Sequence, residues 1–457
     1  MSVCRRPRLP AAFVLLALFL STTPAWAVDC GDTARQPVIQ KICADKTLRD
    51  LDNRVGHLAR QYARHTETPN ASRTRDQANW QAETLAAGWQ AIATDQPLAP
   101  TLAARFRERI AYLSSRMRDG GTDTPAHRLA TALASGDGRS IRALDGLARA
   151  DDIKLAPQGK TNRYDSPAAA FAALDAKPSP ALRQASTARF ADGSLALQWL
   201  PGARIGVLFQ QQGTAHCFSG QWFRVDESGR AQTLAAPPGL SLDGPDSCGI
   251  HVAIARIAGK PAALRIDSPD IDQDTITLQT LNDDAWQTPH RIIVRYDHRL
   301  GEPRVVHRQD SGAAFWRKLA LPMVQAFDRH PAPGFTAPAL SPADADRISD
   351  LRTKVEAAAK GASYPPAPLT DQDTDGPLAP YNAFGETAVY FPLAARGNWL
   401  LGRIGHGHWG WRSGNGWLVG FWTLDADGNP VPLASLYVPR ERERVLGTAV
   451  IDGPSTD

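Results

Sequence analysis

Residues whose types and spacing could do chemistry gather at a few places in the chain. Asp371-x-Asp373-x-Asp375-Gly376 matches the first half of a calcium loop. There, carboxylates at alternate positions converge on a hard cation and Gly permits the sharp turn. The twelfth position is Asn382 rather than a bidentate Glu, and Pro377 and Pro380 interrupt the run. A solvated acidic turn is therefore the competing reading. Cys248-x-x-His251, with His216 beside Cys217, has a ligand-like spacing, but no Cys-x-x-Cys accompanies it. His406-Gly-His408-Trp409-Gly-Trp411 precedes a Ser-Gly-Asn-Gly turn, a hairpin pattern. On a strand the two His share one face and the two Trp the other. The His pair offers two metal ligands without a third. Trp409 and Trp411 can stack on the apolar face of a sugar or pack in a core. Asp267, Asp270, Asp272 and Asp274 fall between strand-like runs and read as a polar loop. A Gly-x-Ser-x-Gly elbow and a His-Glu-x-x-His are both missing. No motif argues for an enzyme, and no cofactor is expected.

The chain has 457 residues, with 51 Lys+Arg against 47 Asp+Glu. Residues 1–27 read as a secretory signal: Arg5, Arg6 and Arg8, then the apolar run Ala11 to Leu20, then Ala25-Trp26-Ala27 as a small-x-small cleavage site. The alternative, an N-terminal membrane anchor, needs about 20 apolar residues. Removing the signal takes away three Arg and no acid, which leaves a net charge near +1. That balance argues against a nucleic-acid binder by bulk charge. An exported, periplasmic or secreted chain with no membrane span after processing is expected. Removal of Cys4 leaves Cys30, Cys43, Cys217 and Cys248, an even number in an oxidising compartment. Of the three pairings, Cys30–Cys43 and Cys217–Cys248 join cysteines close in sequence. A closed loop of that size contributes about 3 kcal/mol.

These residues need elements to position them. Leu48, Leu51, Val55, Leu58 and Tyr62 recur at steps of three and four, the apolar face of a helix over 46–64. Residues 71–94 and 100–118 read as two more helices, with Pro69 and Pro97 between the segments. After Gly120-Gly121, helices are expected over 126–150 and 166–176, and strand character from about 186. Expected strands include Leu195–Trp199, Ile205–Phe209, Trp222–Val225, His251–Ile257, Ala262–Ile266, Thr275–Leu281 and Arg291–Tyr296. Asp226-Glu-Ser-Gly229 reads as a hairpin turn, and 312–330 and 342–360 as helices. The fold class expected is α+β: a small disulfide-clipped helical N-terminal domain, then a larger mixed region rich in antiparallel strands. The expected divisions are signal peptide 1–27, helical domain 28–118, α+β domain 122–330, Pro-rich linker with one helix 331–380, and Trp-rich β segment 381–457.

One segment resembles a known family. Asp29-Cys30, Ala34, Ile42-Cys43-Ala44-Asp45, Leu48, Leu51-Asp52, Val55 and Leu58 resemble the N-terminal domain of the LprI-type lysozyme inhibitors. Gln77-x-x-Trp80 and Arg109-Ile110-x-x-Leu113 match that family's second and third helices. The resemblance covers residues 28–118. It departs at Ile39 (often acidic), Ala59 (often Tyr), and Thr84 and Ala87 (often Arg and Cys). It implies a helical fold that binds lysozyme or another cell-wall hydrolase and blocks it sterically, without catalysis. Residues 28–118 hold 14 Lys+Arg and 10 Asp+Glu. Long-range repulsion therefore opposes encounter with a basic lysozyme, and a local acidic loop is needed. Asp29, Asp32 and Asp45 beside the clip are the candidates, with Asp52 read as a helix-surface residue. Two rival functions remain: peptidoglycan or glycan binding through Trp409 and Trp411, and an enzyme in residues 120–457 with an unrecognised site.

Overall fold

The fold, in a computed structural model, is α+β. The structure describes residues 27–28, 30, 37–64, 70–93, 96–117, 124–135, 153–156, 163–190, 195–212, 217–240, 242, 251–282, 285–308, 312–329, 341–360, 388–395, 398–408 and 415–452. Helices α1 (Pro37–Ala44), α2 (Lys46–Arg64), α3 (Asn70–Ala93) and α4 (Leu98–Arg116) come first. The periodicity over 46–64 is the reason for α2: Leu48, Val55 and Tyr62 are buried, and Leu51 and Leu58 pack against the same core. Asp45 caps the helix by accepting from the N–H groups of Thr47 at 3.0 Å and Leu48 at 3.3 Å. The short α1 was not read from the sequence. It carries Cys43, and the Cys30–Cys43 disulfide, with Cα atoms 5.8 Å apart, ties the chain's entry to it.

Next come α5 (Pro125–Ala134), β1 (Ile153–Leu155), β2 (Arg163–Tyr164), α6 (Pro167–Ala173), β3 (Lys177–Pro178) and α7 (Pro180–Arg189). Helix α5 is the start of the helix expected over 126–150, and residues 136–150 lie outside the described ones. Strand character was expected from about 186, yet α7 runs to Arg189. Its signal was a local one. Thr124-Pro125, Ser166-Pro167 and Ser179-Pro180 each place a hydroxyl cap before a Pro at the first helical position, and each hydroxyl accepts a backbone N–H.

The strands then follow in order: β4 (Leu195–Leu200), β5 (Ile205–Gln212), β6 (Cys217–Val225), β7 (Arg230–Thr233), β8 (His251–Ile257), β9 (Lys260–Asp270), β10 (Gln273–Asn282), β11 (Ala285–Trp286), β12 (His290–Leu300) and β13 (Arg304–Arg308). Helices α8 (Ala313–Arg329) and α9 (Pro342–Lys360) precede β14 (Ala388–Ala395), β15 (Asn398–His408), β16 (Asn415–Leu424) and β17 (Pro430–Asp452). Turn 226–229 closes the antiparallel β6–β7 hairpin, with Gly229 at φ +79°.

Among the described residues there are two sheets. The smaller has the order β2-β4-β5-β6-β7-β3. One of its faces packs on α6 and α7 through Phe171, Leu182 and Phe223. Its other face meets the large sheet, where Val207 and Trp222 share a core with Ile254 and Ala263. The large sheet has the order β1-β8-β9-β10-β12-β17-β16-β15-β14. The C-terminal strands are therefore continuous with the middle ones, because β17 pairs antiparallel with β12, β13 and β16.

Alternation along β12 decides what lies on each side. Ile292, Val294 and Tyr296 join the core under α5, whereas Ile293 joins the core of the N-terminal helices, as does Ala449 of β17. Farther along the sheet, Trp316 and Val324 of α8 pack on Trp417, Val419 and Phe421. On the opposite face, Leu351 and Val355 of α9 pack on Leu418 and Trp422.

Helices α1, α3 and α4 approach closely at Gly88. A Cβ there would lie 2.6 Å from Val38 Cγ1 and 3.3 Å from Leu102 Cδ2. Gly88→Ala should therefore destabilise the chain by about 1–3 kcal/mol through overpacking, despite alanine's better helix propensity. Urea unfolding monitored by Trp fluorescence reads that change.

Candidate functional site

Among the described residues, the densest group of buried ionisable side chains lies between the N-terminal helices and the large sheet. It is built on β12. Arg295 is 1% exposed and grips Glu83 of α3 with two bonds, Nη1 to Oε2 at 2.7 Å and Nη2 to Oε1 at 2.9 Å. It donates further to Asp76 Oδ1 at 3.1 Å and to Gln273 Oε1 at 3.0 Å. Arg109 of α4 pairs with Asp76 at 2.9 Å and donates to Gln77 Oε1 at 3.2 and 2.9 Å. The Arg109 guanidinium also lies over two rings, 5.5 Å from the centre of Trp80 and 4.9 Å from that of Tyr112. Burial would raise the Asp76 pKa, but Arg109 and Arg295 outweigh it and hold the carboxyl below its ordinary value. Gln77, Trp80, Arg109 and Leu113, the residues quoted for helices two and three of the resembling pattern, are all in this buried centre.

A second cluster follows three residues along β12. His298 donates from Nδ1 to Asp272 and from Nε2 to Asp328 Oδ2 at 2.7 Å. Arg440 of β17 pairs with both carboxylates, and Trp417 Nε1 donates to Asp328 Oδ1 at 2.7 Å. Burial and Arg440 disfavour the charged imidazole, but Asp272 and Asp328 outweigh them, and the His298 pKa rises to about 9. Burial acts against ionisation of Asp272 also, yet Arg440 and His298 keep it lowered. Beside it, Arg442 grips Asp274 at 2.9 and 2.7 Å, covers the Tyr296 ring at 4.0 Å, and donates to the Ile271 carbonyl at 2.7 Å. Asp297 takes Arg75 at 3.0 Å and Arg444 at 3.1 Å.

The expected polar loop is thus corrected. Asp272 sits in the tight β9–β10 connection and Asp274 on β10, both without solvent exposure, because Arg440, Arg442 and His298 cover them. Asp52 is corrected as well. It is 4% exposed rather than on the helix surface, and it accepts the Val28 N–H at 2.9 Å. Burial raises its pKa to about 6, with the Val28 hydrogen bond acting against that rise.

The other candidates are placed as follows. Asp45 is half-buried, caps α2, and faces Lys41 at 3.5 Å. Asp29 and Asp32 lie outside the described residues, as do Asp371, Asp373, Asp375, Trp409, Trp411 and Cys248. Cys217 opens β6 and His251 opens β8. His406 and His408 lie on β15, opposite Trp417 and Asn415. Of the departures from the family pattern, Ile39, Ala59 and Thr84 are buried and Ala87 is half-buried. Among the described residues no group of three or more His, Cys, Asp or Glu is disposed to hold a metal ion. No helix among them is long and apolar enough to cross a membrane.

Sequence reasoning missed Asp76, Glu83, Arg295, His298, Asp328, Arg440, Arg442 and Arg444. A signal existed for some of them. Arg440-Glu-Arg442-Glu-Arg444 alternates with the strand period just before the apolar end of β17. An alternating charge inside a sheet of this breadth needs buried partners. No protein-family model, curated protein or solved structure matches this chain.

Two outcomes follow from the clusters. Arg295→Met removes from a buried seam the cation that Asp76 and Glu83 of α3 share, and should cost about 3–5 kcal/mol. Adding Asp76→Asn and Glu83→Gln should recover part of it, read by urea unfolding. The His298 pKa is raised above its unfolded value of 6.5. Its contribution, up to about 3 kcal/mol, is complete below pH 6.5 and lost as pH rises through about 9. Unfolding free energy measured from pH 6 to 10 should fall over that window, and His298→Gln should flatten the fall.

Proposed function

We propose that this is an exported binding protein that occludes a cell-wall hydrolase of the lysozyme type and performs no chemistry itself. The observation that carries the reading is the convergence of the resembling residues. Gln77, Trp80, Arg109 and Leu113 meet in one buried centre, while the disulfide that begins the same pattern stands toward solvent with Cys30 exposed. A clip on a rigid base is what steric occlusion of a cleft requires, since a segment ordered beforehand loses little entropy on binding.

The ionisable clusters fit the same reading. His298, Asp272 and Asp328 are paired with one another and with Arg440 at 0–7% side-chain exposure. That arrangement anchors structure, because a general acid or base has to reach a substrate proton. Charge also limits where the contact forms. The outer face of α2 presents Arg54, Arg60 and Arg64, and Arg49 stands at the clip, donating to the Cys43 carbonyl at 3.2 Å, so the face of α2 repels a basic partner.

Lysis of cell-wall substrate by animal-type and goose-type lysozymes, titrated with the full chain from Val28, tests this. Saturable inhibition is expected, weakened at least tenfold by Cys30→Ser/Cys43→Ser in a chain that remains folded. A folded, oxidised chain that inhibits neither enzyme overturns the reading. Retention on insoluble cell wall without inhibition would favour glycan binding instead.

A further inference from the structure

Asp52 is a buried carboxylate with an unusual partner. It lies on α2 among Leu48, Val55 and Ala59, 4% exposed. The hydrogen bond that an observed contact gives it is from the Val28 backbone nitrogen at 2.9 Å. One neutral amide, its partner among the described residues, is a poor match for a buried carboxylate, which needs an opposite charge or several donors to offset its lost hydration. The Val28 side chain is at the same time docked against the apolar core of the N-terminal helices. Residue 28 is therefore held at both its side chain and its nitrogen, 24 positions from its acceptor.

The sequence supplies the missing charge. Ala25-Trp26-Ala27 is the small-x-small pattern after which a signal peptidase cuts, so the bond to be cut is the one that ends at this nitrogen. We propose that cleavage between Ala27 and Val28 converts the Val28 amide into an α-ammonium group that becomes the counterion of buried Asp52, so that processing completes the domain's core. The step is a hydrolysis: water adds across the Ala27–Val28 bond, the new carboxylate departs on Ala27, and the freed amine takes a proton on Val28. One hydrogen bond from a neutral donor is replaced by an ion pair at the same position. The chain before cleavage offsets the burial of Asp52 with one neutral donor, and the chain after cleavage offsets it with a counter-charge. The inference rests on the export reading, but not on what the exported protein binds.

The test compares full chains that begin at Val28 with chains that keep Ala27 as one extra residue, each with and without Asp52→Asn. At pH 7 the Val28 chain should have a folding equilibrium constant about 10- to 100-fold larger than the Ala27 chain, the range of a charge-assisted buried hydrogen bond. The gap should vanish in the Asp52→Asn pair. The Val28 α-amine should also react several-fold more slowly with an amine-directed acylating reagent than it does in Asp52→Asn. Equal constants for the two wild-type chains overturn the proposal. So does a gap that survives Asp52→Asn. The Ala27 chain leaves Asp52 intact, so the comparison holds even if Asp52→Asn folds poorly. The mass of the chain recovered after export should correspond to a start at Val28, and any other start overturns the processing step. These readouts do not involve lysozyme, so the inhibitor reading can fail while this one stands.

Discussion

A guanidinium cannot be left bare inside a protein, and Arg295 makes the rest of the structure answer to that rule. It stands on the central strand of the large sheet, yet its carboxylate partners, Asp76 and Glu83, come from a helix more than two hundred residues earlier. Taking these ions out of water is expensive, and the expense is offset only if all arrive together in the right geometry. The seam therefore specifies how the helices sit on the sheet more than it adds stability. Apolar contacts such as Ile293 and Ala449 against the helical core supply attraction without direction. The ion pairs supply the register. Arg109, which lies over the rings of Trp80 and Tyr112, carries the same discipline, because it neutralises the other oxygen of Asp76.

The same logic repeats along β12 and β17. Tyr296, Asp297 and His298 each reach a different charged partner, while Arg440, Arg442 and Arg444 answer from the neighbouring strand. Shifts in pairing register fall within this stretch, between Arg295 and Tyr296 and between Asp297 and His298. Such irregularities re-aim side chains that strict alternation would send to one face. Apolar packing dominates the sheet on both sides of this stretch, and the polar network occupies the zone where α3 of the N-terminal helices meets α8.

Much of this fold was legible in the sequence. The stripe from Leu48 to Tyr62 located α2 to the residue, and the run from His251 to Ile257 located β8, because each obeys a single apolar period. The Cys30–Cys43 pairing was legible from proximity alone. What escaped detection was whatever the period did not make apolar. The inward face of α3 is Asp76, Gln77, Trp80, Glu83 and Thr84, which by composition looks solvated. Asp52 was misread for the same reason: a carboxylate on a helix is usually outside, and only the distant Val28 nitrogen accounts for its place inside. Asp272 and Asp274 were taken for loop residues because their cations lie on a strand about 168 positions later. Pairings at that separation leave no trace around the aspartates themselves; the trace lies in the alternating Arg440, Arg442 and Arg444. The candidate functional residues were less legible than the fold, since nothing in Asp29, Asp32 or Asp45 distinguishes a docking acid from a capping one, and Asp45 turns out to cap α2.

The last strand has a consequence for how the molecule comes into being. β17 closes the large sheet, lying against β12, β13 and β16, and its end accepts Ser115 of α4 across 335 residues. Long-range pairing of this kind pays its loop-closure entropy before any contact rewards it. The N-terminal helices emerge first, but their counter-charge on β12 and their apolar roof on β17 emerge late. The N-terminal helices therefore reach their native arrangement only once β12 and β17 are free to pair, whereas the small sheet, with α6 and α7 packed on it, draws its partners from nearby in the chain.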